Sequence, residues 1–285
     1  MAYKIAYLTS KVFEHSPADE FCEFAKANGV DFCVENFELA HLTPDDSFSI
    51  ATANAIIISS SINADCNLAP LIANKLNLYA RCAFKPANSD NLTHSNTIVV
   101  SDVPTLENGE LGVSSQFGRE ASITLRYSEI EIERTARIAY EFAEARDKKL
   151  TLSDTTAPRH LTMLWRKIVS DINEDYPSVH LEFESVFETT KKLVSSNADY
   201  DVLLTTETYF DAFSSMADKY SPLGDGTATI AYLGETTVGL YATERPAVFS
   251  PLLDSLAISK MLDHSFDLAP LSEAWKEKIN HNLPN

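Results

Sequence analysis

Glycine is scarce in this chain, with 8 among 285 residues. A backbone that cradles phosphate needs glycine wherever it turns with positive φ or closely approaches the anion. Glycine-rich nucleotide loops are therefore few before any motif is sought. The GDG at 224–226 lacks the strand–GxGxxG–helix context of a dinucleotide fingerprint and reads as a turn. The four cysteines, Cys22, Cys33, Cys66 and Cys82, include no C-x-x-C pair, which excludes a zinc knuckle or a dithiol redox motif. Widely spaced and mostly apolar-flanked, they read as reduced, buried thiols of a cytosolic protein. The seven histidines contain no H-x-x-x-H pair, so they nominate no metal site. No apolar run approaches membrane-spanning length. The opening MAYKIAYLTSKVFEHS lacks the basic start and long apolar stretch of a secretory signal. The expectation is a cytoplasmic protein with no membrane partner.

Positive charge is the other shortage. Lys and Arg number 23 against 41 Asp and Glu, for a formal net charge of −18. Such an acidic field repels nucleic acid and anionic membranes, and slows a di- or tricarboxylate unless basic residues cluster locally. Hydrophobic residues at 45% and charged residues at 22% are ordinary for a soluble globular protein. The length suits one large or two modest domains.

Along the chain, KIAYL (4–8), DFCVENF (31–37), NAIIISS (54–60) and NTIVVSD (96–102) read as strands. PADEFCEFAKANG (17–29) and LAPLIANKLNLYA (68–80) have helical period. Ser128 and Glu131 form a capping-box pattern. The helix that follows carries Ile132, Ala136, Ala139 and Ala143 on one stripe. KKLTL (148–152), HLTMLWRKIVSDINEDY (160–176), VHLEF (179–183), VFETTKKLVSS (186–196) and YDVLLT (200–205) alternate strand and helix, with Pro177 stopping the first helix. SPLGDGTATIAYLGETTVG (221–239) reads as glycine-punctuated and loop-rich. SPLLDSLAISKMLDHSF (250–266) and the polar tail read as helices. The alternation predicts an α/β protein with a largely parallel sheet.

The order and spelling of these segments resemble the β-decarboxylating dehydrogenases, which include isocitrate and isopropylmalate dehydrogenases. LRYSEIEIERTARIAYEFAEARDKKLTL resembles the family's R-x-S-x-x-E helix and the strand after it. LWRKIVSDINEDYPSVHLEFESV resembles its next helix and strand. YDVLLTTETYFDAFSSMAD resembles its F-D-V-x-V-T-x-N-x-F-G-D-I-L-S-D-L, and VFSPLLDSLAISKMLDHSF its late Asn-Pro helix. The resemblance implies two α/β domains with an interdomain cleft. Residues 1–90 plus 221–285 would form the first domain, and residues 91–220 the second, dimer-forming one. It also implies NAD or NADP and Mg²⁺ or Mn²⁺ as cofactors. The implied chemistry is hydride transfer followed by loss of CO₂, with the metal polarising oxygen and a lysine and a tyrosine moving protons.

The chemical spelling departs from that pattern. Of three implied metal carboxylates only Asp211 is retained, because Phe187 and Ser215 stand at the other two places. Glu188 is one residue from the first, but a one-residue shift rotates a helical side chain by about 100°. Thr155 stands at the lysine position and Ala157 at the neighbouring asparagine. No tyrosine occurs between Tyr79 and Tyr127, where the catalytic one is implied. Ser101 replaces the arginine of V-R-E, and residues 82–118 contain no arginine. The N-terminal glycine turn reads TSKVFE, the adenine loop is shortened to YATERPAVFSP, and Ser250 replaces the asparagine of the Asn-Pro.

Several residues admit two readings. Asp211 is a surviving metal ligand or a carboxylate capping a helix N-terminus. Arg81 and Arg126 hold an anion through bidentate contacts or pair with acids of the chain. His160 and Arg159 form an acid–base group with Asp154 or are a solvated first helical turn. The expectation is a diverged family member that lacks metal-dependent oxidative decarboxylation, a homodimeric pseudoenzyme binding a small carboxylate or a partner. The alternatives are an active NAD(P)-dependent 2-hydroxyacid oxidoreductase with altered site chemistry, or a regulatory subunit of an active paralogue.

Overall fold

The computed structural model describes residues 2–10, 16–62, 68–84, 97–103, 109–110, 114–115, 118–119, 122–123, 126–155, 159–195, 199–217, 229–236, 238–243 and 250–281. Its strands are β1 (Tyr3–Thr9), β2 (Phe32–Glu38), β3 (Ala55–Ile58), β4 (Ala80–Phe84), β5 (Ile98–Asp102), the short β6 (Gly109–Glu110), β7 (Ser114–Ser115), β8 (Gly118–Arg119) and β9 (Ser122–Ile123), then β10 (Lys149–Asp154), β11 (His180–Ser185), β12 (Val202–Leu204), β13 (Thr229–Leu233) and β14 (Gly239–Thr243). The helices are α1 (Pro17–Ala27), α2 (Pro44–Ala51), α3 (Leu68–Lys75), α4 (Glu129–Glu144), α5 (Arg159–Asn173), α6 (Val186–Val194), α7 (Glu207–Ala217), α8 (Pro251–His264) and α9 (Ala269–His281).

Ten strands form one sheet in the order β11-β10-β12-β5-β4-β13-β14-β3-β1-β2. Two parallel blocks flank an antiparallel centre. β11, β10, β12 and β5 are mutually parallel, as are β14, β3, β1 and β2. β4 and β13 join the blocks through antiparallel ladders. Both faces are covered by helices, so the strands read as continuous apolar runs that divide by alternation. Ile5, Tyr7, Ala55, Ile57, Val202 and Leu204 pack with α1, α4, α5, α8 and α9. Ala6, Leu8, Ile56, Ile58 and Leu203 pack with α2, α3, α6 and α7.

Local chemistry sets the helix starts. Ser16 with Asp19, Thr43 with Asp46 and Ser128 with Glu131 each close a reciprocal capping box. The α4 stripe of Ile132, Ala136, Ala139 and Ala143 is fully buried.

Three expectations change. The helix expected to run to residue 80 ends at Lys75. Asn77 takes a positive φ of 54°, which asparagine tolerates, and the chain turns into β4. No periodicity marks β4, because ARCAF lies in the sheet centre and shows no alternation. The segment expected to be loop-rich, 221–239, supplies the central strand β13, and its last residue, Gly239, opens the central strand β14. Cys33 is exposed on the edge strand β2 and Cys22 is half-buried, while Cys82 is buried as expected; Cys66 lies outside the described residues. No described helix is long and apolar enough to cross a membrane.

Candidate functional site

Open α/β sheets take ligands at the carboxyl ends of their parallel strands. In the β5–β12–β10–β11 block those ends carry Asp102, Thr205, Asp154 and Ser185. β4 runs the other way, so its first residues meet the same edge: Ala80 pairs with Asp102 and Arg81 with Ser101. α7 begins directly after β12 and lies over this edge.

Arg81 reaches α7. Its Nη2 lies 2.8 Å from Oδ1 of Asp211. Its Cζ stands 4.1 Å from the Phe210 ring centroid and 6.0 Å from that of Tyr232. Its Nε is buried with no hydrogen-bond partner. Asp211 and Arg81 thus face each other, and Arg81 is paired with an acid of the chain. Asp211 is not a cap: it lies in the second turn of α7. The group at the helix start is Asp102, whose Oδ1 accepts from the N–H of Glu207 at 2.9 Å. A long-range acceptor on another strand thus does what a local cap would do.

Asp102 also accepts from the Tyr127 hydroxyl. Burial pushes its carboxyl up to about 6, while the hydrogen bond from Glu207 pulls the other way. Burial raises the Glu207 carboxyl too; the charge of Arg81 lowers it and that of Asp211 raises it. Arg126 is exposed at the mouth of a cavity of about 70 Å³ lined by Asp102, Tyr127, Glu131, Arg134 and Asn77. Arg134 donates to Asn77 at 3.3 Å and lies 4.5 Å from the Tyr79 ring, with its Nε buried and unpartnered. Glu131 is held below its usual range by the Ser128 hydroxyl first, and by Arg134 and Arg126. Two guanidiniums against the ionised Glu131 leave the cavity net positive below about pH 6, where Asp102 is protonated, and near neutral above it. At roughly 30 Å³ per water, it takes the end of a small oxyanion rather than a whole ligand.

The remaining sequence candidates lie apart. Thr155 follows β10, and its carbonyl accepts from the Thr162 hydroxyl. Asp154 forms no group with His160. Both its oxygens accept from Arg166, at 2.7 and 2.8 Å, and His160 is exposed. Phe187 projects from α6 at 73% exposure, and Ser215 is exposed one turn beyond Asp211. The GDG at 224–226 lies outside the described residues.

A divalent cation does not fit these residues. Asp211 is bonded to a guanidinium, and no group of three His, Cys, Asp or Glu side chains suited to a metal occurs among the described residues. Among the described residues, a dinucleotide fits no better at the carboxyl ends of β1 and β3. Residues 10–16 after β1 contain no glycine. The polar groups there bind Asp254 of α8, which accepts from Ser59 Oγ at 2.8 Å, Ser60 N at 2.7 Å and the Tyr7 hydroxyl. Ser250, at the start of α8, exchanges bonds with Ser60 Oγ.

The isocitrate/isopropylmalate dehydrogenase family model matches residues 100–245, just over half the chain. The chain belongs to this family. The 3-isopropylmalate dehydrogenase of Pseudomonas fluorescens (strain Pf0-1) is 30% identical over 184 residues, covering 62% of this chain and 49% of that protein. That of Saccharophagus degradans (strain 2-40) is 31% identical over 182 residues, covering 61% and 48%. The chain thus spans about half the length of the curated relatives it matches. Among solved structures, isocitrate dehydrogenase from Methylococcus capsulatus superposes with a TM-score of 0.78 at 19% identity, covering 98% of this chain and 91% of that one. The apo β-decarboxylating dehydrogenase of Thermococcus kodakarensis gives 0.71 at 16% identity, covering 98% and 88%. These two show the fold.

Asp102, Glu207, Arg134 and Asp254 were not singled out from sequence. Asp102 carried a usable signal, a carboxylate closing an apolar strand. Asp254 carried none, being an acid within a helix whose partners lie about 200 residues away.

Proposed function

We propose that this isocitrate/isopropylmalate dehydrogenase-like chain lacks the family's metal-dependent NAD(P) oxidative decarboxylation and retains a crevice for one end of a small carboxylate. The observation that carries the reading is the Arg81–Asp211 pair, which occupies both the arginine and the acid a metal–hydroxyacid complex would use. The Arg126–Arg134 cavity supports carboxylate binding, since guanidinium matches carboxylate geometry.

A thermal-shift titration tests it, with Mn²⁺, NAD⁺, NADP⁺, isopropylmalate, isocitrate, malate and tartrate added singly and together. A ligand at a hundredfold excess over its Kd stabilises by about 2.7 kcal/mol, or a few degrees at this size. A shift with a carboxylate alone supports the reading. A shift that needs metal and hydroxyacid together, followed by reduction of NAD(P)⁺, overturns it.

One observation favours the second reading, an oxidoreductase with altered chemistry. Asp102, near 6 and bonded to Tyr127, has the affinity for a proton that an acid–base group needs. Loss of hydroxyacid-dependent NAD(P)⁺ reduction in D102N would be its signature.

We also infer assembly as a homodimer through α5, β11 and α6. Met163, Phe183 and Phe187 stand exposed there at 56%, 41% and 73%, and β11 is a sheet edge. Light scattering of the wild type and F187E checks this. A monomeric wild type would redirect the face toward a paralogous subunit.

A further inference from the structure

We infer that Arg81 is the resident cation of the α7 carboxylates and that its guanidinium keeps divalent metal out of the crevice. The inference goes beyond the proposed function, because it concerns which cation the site holds whether or not the chain turns over a substrate. It starts from α7. Glu207 and Asp211 stand four residues apart on one helix, so their side chains share a face. Two hard oxygen donors at that spacing are the kind of pair that binds Mg²⁺ or Mn²⁺.

The cation that faces them belongs to the chain. Arg81 touches Asp211 at 2.8 Å and acts electrostatically on Glu207. Phe210, the residue before Asp211, lies 4.1 Å from the guanidinium carbon. The cation is thus held between an aromatic face and a carboxylate. Arginine suits this post in a way lysine does not, since its guanidinium keeps its proton at any working pH and cannot vacate the site by neutralising. Its side chain is mostly buried, with 13% exposed, and its Nε already lacks a partner. Displacing it from Asp211 would leave a mostly buried charge with the Phe210 ring and the electrostatic pull of Glu207 but without its bonded carboxylate. An entering metal ion would also meet that fixed charge at close range. Asp102 offers no relief, because its oxygens are engaged by the Glu207 N–H and the Tyr127 hydroxyl. Ligand binding in this crevice therefore proceeds without metal.

The test is Mn²⁺ binding to the full chain, read by the electron paramagnetic resonance signal of free Mn²⁺ into the millimolar range. A chain of net charge −18 collects some Mn²⁺ elsewhere, so the criterion is dependence on Asp211. The wild type and D211N are expected to give the same isotherm. R81M, which keeps an apolar stem against Phe210, is expected to gain one site at least about tenfold tighter than wild-type binding, a readily resolved difference; R81M/D211N is expected to lose it. R81Q replaces R81M if circular dichroism shows that the methionine variant does not fold. A wild-type Mn²⁺ site that D211N abolishes would overturn the inference, as would folded R81M and R81Q that gain nothing. Metal-free turnover of a hydroxyacid by a wild type that binds no Mn²⁺ through Asp211 would favour the oxidoreductase with altered chemistry over a chain without turnover and leave this inference standing.

Discussion

Arg81 of β4 and Asp211 of α7 are bonded to each other, Nη2 to Oδ1, at 2.8 Å. Residues that sequence nominates for opposite tasks, one to clamp an anion and one to hold a cation, satisfy each other across 130 positions of chain. The pair is asymmetric, because the arginine is mostly buried and the aspartate half exposed. A double-mutant cycle of R81M and D211N is expected to give a coupling energy of about 1 kcal/mol at low salt. At 1 M salt it should fall well below that, since the Debye length shrinks to about 3 Å. Urea denaturation measures both, and a cycle that closes at zero under low salt would show the pair to be energetically idle.

Asp102 ties stability to pH. Its carboxyl is raised from 3.8 to about 6 by burial, so the folded chain binds its proton more tightly than the unfolded chain. Stability from this group is full below pH 4 and is lost as pH rises through about 6. At 1.36 kcal/mol per pH unit the difference amounts to roughly 3 kcal/mol. D102N removes that dependence while keeping an acceptor for the Glu207 N–H. Relative to wild type, D102N should therefore gain stability between pH 4 and pH 8. Chemical denaturation across the range checks the sign, and a flat difference would contradict the raised carboxyl.

Asp254 is fully buried, and three donors converge on it. D254A leaves the Tyr7 and Ser59 hydroxyls and the Ser60 N–H without their acceptor. Each buried orphan costs about 1–3 kcal/mol, so a loss of roughly 3–5 kcal/mol is expected, near the upper end for one substitution. A loss under about 1 kcal/mol would mean that water replaces the carboxylate.

Ser128 accepts from the Glu131 N–H, and the Glu131 carboxylate accepts from Ser128 in return. S128A should cost about 1 kcal/mol. It should also raise the Glu131 carboxyl toward its ordinary value, because the Ser128 hydroxyl is the largest influence holding it down. Carbon-13 NMR of the glutamate carboxyls reads the second effect independently of stability.

Much of the scaffold is legible in the residues. The capping box at Ser128 and the buried stripe from Ile132 to Ala143 lie where periodicity and caps put them. So do the strands at 3–9, 32–38, 55–58, 98–102 and 149–154. The expectations that fail are non-local. β4, β13 and β14 are central strands whose residues face helices or neighbouring strands on every side, so no alternation marks them, and the ladder that joins β4 to β13 pairs Phe84 with Thr229 and Ala80 with Leu233, positions remote in sequence. The site is less legible than the fold. Periodicity reports which face of an element is buried; it says nothing of which charge from a distant element will meet a given carboxylate.

The α/β architecture, the family pattern of the middle segments and the departures at Thr155, Phe187 and Ser215 are written in the residues, because apolar period, caps and residue identity are local properties. What the polar groups do follows from packing in three dimensions, which gives Asp211 to Arg81, the α7 start to Asp102, and the polar groups at the ends of β1 and β3 to Asp254. Each of those partners comes from a remote part of the chain. The partner of a buried charge is fixed by three-dimensional proximity and by the cost of leaving that charge unmatched.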